Sequence, residues 1–361
     1  MKKKTLGLLM AAAMTAGMLS GCQGAQKAPA GAQETTTAET EKTTTGEAAS
    51  AKEVSSSQEA APAAEPVTLN VAYMPNYGSL WAIENAIAQG YLEKEGITVN
   101  LTEFQDGPTI IAAMESGSID IGYIGQGAHK LAINGQATIF ALSHISNGDA
   151  LIGGPGIASI KDLAGKKVAY SSGSSSEDIL VNSLASADMT MKDIEAVDMD
   201  ASAIVTAMLS GGVDACATWS PNSLKILEEM PQATKLTDNM TFSDKTVSLA
   251  SWIAMPKYAS ENRDVLVRFT RALFKAMDYA ATEHQEETAE LVAKQCHILK
   301  ISDNEIQWLT GKEVSAGAAD GKVEGYYELQ KKNFIDAGAV EGDPAVSDYV
   351  LLDVMVEAGN Y

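Results

Sequence analysis

Residues 67–104 read VTLNVAYMPNYGSLWAIENAIAQGYLEKEGITVNLTEF, and their periodicity decides the fold. Val67–Tyr73 alternates apolar and polar side chains, the two-residue period of a half-buried strand. Asn76–Gly78 is a turn. Ser79 can cap a helix that carries Trp81, Ile83 and Ile87 and stops at Gly90. Ile97–Phe104 returns to the strand period. A strand, a helix and a second strand in so short a unit predict a parallel sheet with helices on its faces.

The same rhythm continues outward. Asp106-Gly107-Pro108-Thr109 opens a helix through Met114, Ile119–Tyr123 is a third strand, Gly127–Ile133 a helix and Thr138–Ile145 a fourth strand. Leu151–Gly156 is a glycine-rich break, after which the rhythm restarts. Strands are expected over Lys167–Tyr170, Ile194–Met199 and Val213–Thr218, with helices over Ser174–Ala187, Ser202–Leu209 and Pro221–Glu229. Val247–Met255 is a further strand, followed by helical patterns at Glu261–Glu283, Glu286–Cys296, Asp303–Leu309 and Tyr326–Ala337. The expected fold class is α/β with two lobes, each a mostly parallel sheet flanked by helices. Residues 67–148 form the first lobe and 149–245 the second; 246–361 return to the first and add a helical tail. A hinged pair of this kind places ligands in the cleft, beyond the carboxyl ends of the strands.

Composition narrows the function. The 361 residues hold 47 acids against 26 bases, a net charge of −21 that repels nucleic acid. A 45% hydrophobic share is too high for a disordered chain. Three cysteines are too few for a disulfide scaffold or a four-cysteine zinc site.

The N-terminus reads as an address. Lys2, Lys3 and Lys4 precede an apolar run, Leu6–Leu19, and Leu19-Ser20-Gly21-Cys22 resembles the bacterial lipobox. Cleavage before Cys22 removes three Lys and no acid, leaving 23 bases against 47 acids and a charge of −24. Residues 1–21 are thus a lipoprotein signal peptide, and lipid on Cys22 anchors the chain outside the cytoplasm, at the membrane. Residues 22–66 are rich in Ala, Thr, Ser, Glu and Gln, with Val54 as their one large aliphatic side chain. They read as a disordered tether, roughly 35 Å in root-mean-square span.

Four phrases, in order over residues 68–230, resemble the nitrate/sulfonate/taurine family of ABC-transporter substrate-binding proteins. They are Glu103-Phe104-Gln105-Asp106-Gly107-Pro108, Ser116-Gly117-Ser118-Ile119-Asp120-Ile121-Gly122-Tyr123, Asp162-Leu163-Ala164-Gly165-Lys166-Lys167-Val168-Ala169 with the following Gly173-Ser174-Ser175-Ser176, and Gly212-Val213-Asp214-Ala215 with Trp219 and Pro221. The resemblance implies a type II two-lobed binding fold that captures a small molecule and delivers it to an ABC permease and its ATPase. It implies no enzyme activity and no cofactor or metal, and the expected state is a monomer. After the third strand many relatives carry Gly-Asp-Ala-Pro, where this chain has Gly125-Gln126-Gly127-Ala128. A ligand amine would lose an acidic partner at that position.

The strand-end loops nominate the site. Gly173, Ser174, Ser175 and Ser176 precede a helix, and their hydroxyls and amides suit an anion; plain capping is the competing explanation. Tyr73, Tyr77 and Trp219 are the preferred ring contacts, while Trp81, Phe104 and Tyr123 are expected to face the core. Asn76, Gln105, Gln126, His144 and Asp200 are polar residues at strand ends, although such residues are more often merely solvated. All three arginines follow residue 262, so no arginine clamp arises from these loops. The expected ligand is an organosulfonate or related small oxyanion. A thiamine-pathway pyrimidine or other flat heteroaromatic is the alternative. A pyrimidine-making enzyme on the same fold is weaker still, since its cysteine-rich iron signature is replaced by Cys216 alone.

Overall fold

The computed structural model describes residues 65–298, 301 and 305–361. The signal peptide, Cys22 and the tether up to residue 64 lie outside the described residues. In chain order the first lobe opens with β1 (Val67–Tyr73), α1 (Tyr77–Ala88), α2 (Tyr91–Lys94), β2 (Ile97–Glu103), α3 (Gly107–Glu115), β3 (Ile121–Ile124), α4 (His129–Ile133) and β4 (Thr138–Ser146). Then follow β5 (Asp149–Gly153), β6 (Lys167–Tyr170), α5 (Ser175–Ser186), β7 (Glu195–Asp198), α6 (Ala201–Leu209), β8 (Ala215–Trp219), α7 (Asn222–Glu229) and β9 (Thr234–Asp238). The chain continues with β10 (Leu249–Ala254), α8 (Pro256–Glu261), α9 (Arg263–Glu283), α10 (Gln285–Gln295), β11 (Ile306–Gln307), α11 (Gly311–Asp320), α12 (Lys322–Asp336) and α13 (Leu352–Ala358).

Two sheets result, in the orders β11-β4-β10-β3-β1-β2 and β7-β6-β8-β5-β9. In the first, β1 pairs in parallel with β2 and β3, and β10 lies antiparallel between β3 and β4. In the second, β6 pairs in parallel with β7 and β8, and β5 lies antiparallel between β8 and β9. Among the described residues, three strands are reversed: β5 and β10, the first to enter each sheet after a crossover, and the two-residue β11 at the edge of the first sheet. A strand that starts at the cleft runs away from it.

Burial follows the sequence patterns. Leu69, Val71, Trp81, Ile110, Ile121, Phe140, Phe269 and Tyr327 belong to one core around the first sheet. The second sheet has a core on each face, one around Leu151, Val168, Leu180 and Leu184, the other around Ile152, Ile204, Met208 and Cys216. Leu151 and Ile152 therefore face opposite sides, which makes residues 149–153 a central strand rather than the glycine-rich break expected from LIGGPG. Gly153 is there for close packing, since a Cβ on it would come 2.7 Å from Ile157. The described part of Asp303–Leu309 contains β11 rather than a helix, and it closes the first sheet against β4. Cys216 and Cys296 are free thiols, and burial pushes the Cys216 thiol up to about 12.

Two crossovers join the sheets. Asn147 and Gly148 link β4 to β5, and residues 239–248 link β9 to β10. They are stitched together, with Ser146 N–H donating to the Ser248 carbonyl at 2.6 Å and Asp149 N–H donating to Asn239 Oδ1 at 2.8 Å.

Candidate functional site

A cavity of about 540 Å³, counting its open mouth, lies where both sheets turn toward the crossovers. The first-lobe wall begins at Asn76, which caps α1 by accepting from Ser79 N–H at 2.8 Å. Gly78 follows in the first turn. A Cβ there would come 2.5 Å from the His144 ring and 3.2 Å from the Tyr123 hydroxyl, so only glycine leaves those side chains room. Tyr123 on β3 and His144 on β4 stack at 6.1 Å between centroids, 17° apart. Burial holds the His144 imidazole down at about 3, so it is neutral near pH 7, with Nδ1 3.1 Å from Ser143 Oγ. Gln126, 5% exposed, also lines the wall, and its Oε1 has no hydrogen-bond partner among the described residues.

The second-lobe wall is the start of α5 and the end of β8. Ser174 caps α5 and donates to the Ser171 carbonyl at 2.7 Å. Ser175 turns its hydroxyl onto the Asp149 carboxylate, and Trp219 closes the wall as the half-buried last residue of β8. At the hinge stand Ser146, Gly148, Asp149 and Glu305. Asp149 is 3% exposed and also accepts from Asn239 Nδ2 at 2.8 Å and Ser248 Oγ at 3.4 Å. Burial raises its pKa, against the three hydrogen bonds that favour the charged form. Among the described residues, no lysine or arginine lines the cavity.

Of the residues nominated from sequence, Asn76, Gln126, His144, Ser174, Ser175 and Trp219 come together here. The other six lie off the cavity wall. Tyr73 packs behind the first sheet, its hydroxyl 3.5 Å from Glu103 and accepting from Gln295 Nε2 at 3.1 Å. Tyr77 is fully buried with its ring edge-on to Trp308 at 5.8 Å. Gln105 is exposed and donates to Glu103. Gly173, at φ +76°, sits against Pro108 and donates its N–H to Glu177. Ser176 fastens α5 to β8 by donating to the Ala217 carbonyl at 2.7 Å. Asp200 is an exposed residue before α6.

Among the wall residues not nominated from sequence are Tyr123, Asp149 and Glu305. Tyr123 was assigned to the core, and a buried tyrosine does sit there, but on the side that meets the cavity. Asp149 is the first acid after the expected fourth strand, Thr138–Ile145, a usable signal. Glu305 arrives from the returning tail, and no local pattern marks it.

The lobes touch beside the cavity. A Cβ on Gly127 would come 2.0 Å from the Ser174 carbonyl carbon, so the turn before α4 and the start of α5 meet backbone to backbone. Lys130 Nζ on α4 reaches Glu177 Oε2 on α5 at 2.7 Å.

Comparison with known proteins places this geometry. The profile described as "NMT1/THI5 like" matches residues 82–288. The chain belongs to the NMT1/THI5-like family. Most of the 68–230 span that carried the resemblance lies inside that match. A putative binding protein of Brucella abortus (strain 2308) is 29% identical over 297 residues, which cover 80% of this chain and 92% of that protein. A putative aliphatic sulfonates-binding protein of Bacillus subtilis (strain 168) is 30% identical over 220 residues, 59% of this chain and 64% of that one. The taurine-binding periplasmic protein of Escherichia coli (strain K12) is 26% identical over 220 residues, 59% of this chain and 66% of that one. In solved structures the NMT1/THI5-like fold recurs in the alkanesulfonate-binding protein SsuA of Xanthomonas axonopodis pv. citri, at TM-score 0.60, 19% identity and coverage of 80% and 99%. It recurs in the nitrate-binding protein NrtA of Synechocystis PCC 6803, at TM-score 0.65, 15% identity and coverage of 81% and 88%. The desulfurization enzyme DSZB shares it too, at TM-score 0.59, 14% identity and coverage of 81% and 99%. Architecture alone therefore does not separate binding from catalysis.

Proposed function

We propose that the chain is the extracytoplasmic solute-binding component of an ABC importer, and that its ligand is a small organosulfonate or related oxyanion. Lipid on Cys22 tethers it to the membrane, and its partners are the permease and ATPase subunits. The observation that carries the reading is the cavity between two sheets joined by paired crossovers, with α1, α3 and α5 all beginning at its wall through Asn76, Gly107 and Ser174. Each helix start presents roughly half a positive charge; at α3 the Asp106 carboxylate caps it, so the starts of α1 and α5, with the neutral caps Asn76 and Ser174, are the ones that favour an anion without a cationic side chain. Relatives named for aliphatic sulfonates and taurine support the same class.

Thermal-shift and calorimetric titration test this. An alkanesulfonate, 2-aminoethanesulfonate or nitrate is expected to saturate the protein and raise its melting temperature, since a ligand of the native state stabilises it. Saturation by hydroxymethyl-aminopyrimidine and by no oxyanion would overturn the ligand assignment.

A further inference from the structure

Beside the ligand cavity lies a smaller one, of about 270 Å³ counting its open mouth, in which Gln126, Asp178 and Thr246 face the hydrogen-bonded group of Asp149 and Ser175. Three oxygens here are buried and have no hydrogen-bond partner among the described residues: Gln126 Oε1, Asp178 Oδ2 and Thr246 Oγ1. They come from three different elements. Gln126 stands in the turn before α4 of the first lobe, Asp178 in the first turn of α5 of the second, and Thr246 on the 239–248 crossover. Gln126 and Thr246 are 5% and 7% exposed. Lys130 Nζ lies 3.9 Å from the other oxygen of Asp178, Oδ1, so Oδ2 is the one left unserved. Buried polar groups are almost always paired, and three unpaired oxygens in one small polar pocket mark a place where something else does the pairing.

We propose that ordered water occupies this pocket and bridges the two lobes, joining Gln126 Oε1 to Asp178 Oδ2 and Thr246 Oγ1. The count of donors and acceptors fits. An amide oxygen and a carboxylate oxygen accept, and a threonine hydroxyl can donate. A water that donates to the first two and accepts from the third satisfies all three, and about three partners is the usual number for a buried water. An anion does not fit, because it cannot donate to two acceptors and would lie beside the buried Asp149. The bridge also bears on the neighbouring cavity, since Gln126 lines both. With its oxygen held by water, the amide has its two N–H donors left for the ligand cavity. That consequence rests on the proposed function, where a neutral donor suits an oxyanion. The water site does not.

A crystal structure of the full mature chain without added ligand, at a resolution that shows ordered water, tests the site directly. The expected result is density at hydrogen-bond distance, about 2.7–3.2 Å, from each of the three oxygens. Density at about 2.3–2.6 Å from six or more oxygens would mark a metal cation and overturn the assignment. No density, or lobes standing so far apart that Gln126 cannot share the pocket, would overturn it as well. Urea unfolding of Gln126→Met, Thr246→Val and the double variant gives a second, independent reading, because both replacements nearly keep the side-chain shape. Each single variant is expected to lower the midpoint. The double variant should fall by clearly less than the sum of the two shifts, since either change alone already breaks the shared bridge. Additive shifts, or unchanged midpoints in both single variants, would overturn it. Neither readout uses a ligand, so failure of the oxyanion assignment would leave both standing.

Discussion

At the residue scale, Trp219 is the one preferred ring contact that lines the cavity. It stands after the Val213–Thr218 pattern, and the structure puts it on the cavity wall, half-buried at the end of β8. Trp219→Ala is expected to weaken ligand binding by about 1–3 kcal/mol, the usual cost of truncating a wall aromatic. An unchanged dissociation constant would take Trp219 out of the site. Tyr73 and Tyr77 were equally attractive in sequence, but both point into the first-lobe core. A strand end fixes where a backbone lies and leaves undecided which side of it a ring occupies. His129 shows a second residue-scale effect. It is fully buried, edge-on to Tyr327 at 6.0 Å, and burial holds its pKa down at about 3. The unfolded chain takes up that proton near pH 6.5, so stability from this group is present above that pH and lost as pH falls toward 3. His129→Gln should flatten the fall in melting temperature between pH 6.5 and pH 4, relative to wild type. Parallel profiles would contradict the assignment. Glu84 and Asp178, raised to about 7 by burial, act in the opposite direction, so only the difference between the two proteins isolates His129.

At the scale of elements, periodic segments were legible and context-dependent ones were not. The helix expected from Val265, Leu266, Phe269, Leu273 and Met277 is α9, and those five side chains are buried. The strands β5, β9 and β11 were missed because they are short, five, five and two residues, and show no clean two-residue alternation. α11 was missed for a related reason, being rich in Gly and Ala that pack without a large apolar stripe. Its first residue, Gly311, lies against α9 so closely that a Cβ would come 2.3–2.5 Å from Phe274. Phe274 contributes backbone atoms to that contact and cannot simply rotate away. Gly311→Ala should therefore destabilise the protein by roughly 1–3 kcal/mol, as overpacking does. A lower urea midpoint with an unchanged slope would show it, and an unchanged midpoint would contradict it.

At the scale of the whole molecule, function depends on how the two sheets meet. The paired crossovers join the two sheets, and the proposed function expects closure about them to bury a ligand between the halves. The contacts that hold the halves together lie beside the cavity: Gly127 on Ser174, Gly173 on Pro108, and Lys130 on Glu177 at 2.7 Å. Gly127→Ala tests their role, because its methyl group would meet the Ser174 backbone and prop the lobes apart. The expected result is a tenfold or greater loss of ligand affinity, about 1.4 kcal/mol, with little change in melting temperature without ligand. An affinity equal to wild type would show that this approach is not needed for closure. A charge of −21 does not draw an anion in from a distance, so capture relies on contacts inside the cavity.

Capture of a solute between the lobes is tested most directly by a crystal structure grown with 2-aminoethanesulfonate. The expected density lies in the cavity between the two sheets, near Asn76, Gly107 and Ser174. Density only on the outer surface would contradict it.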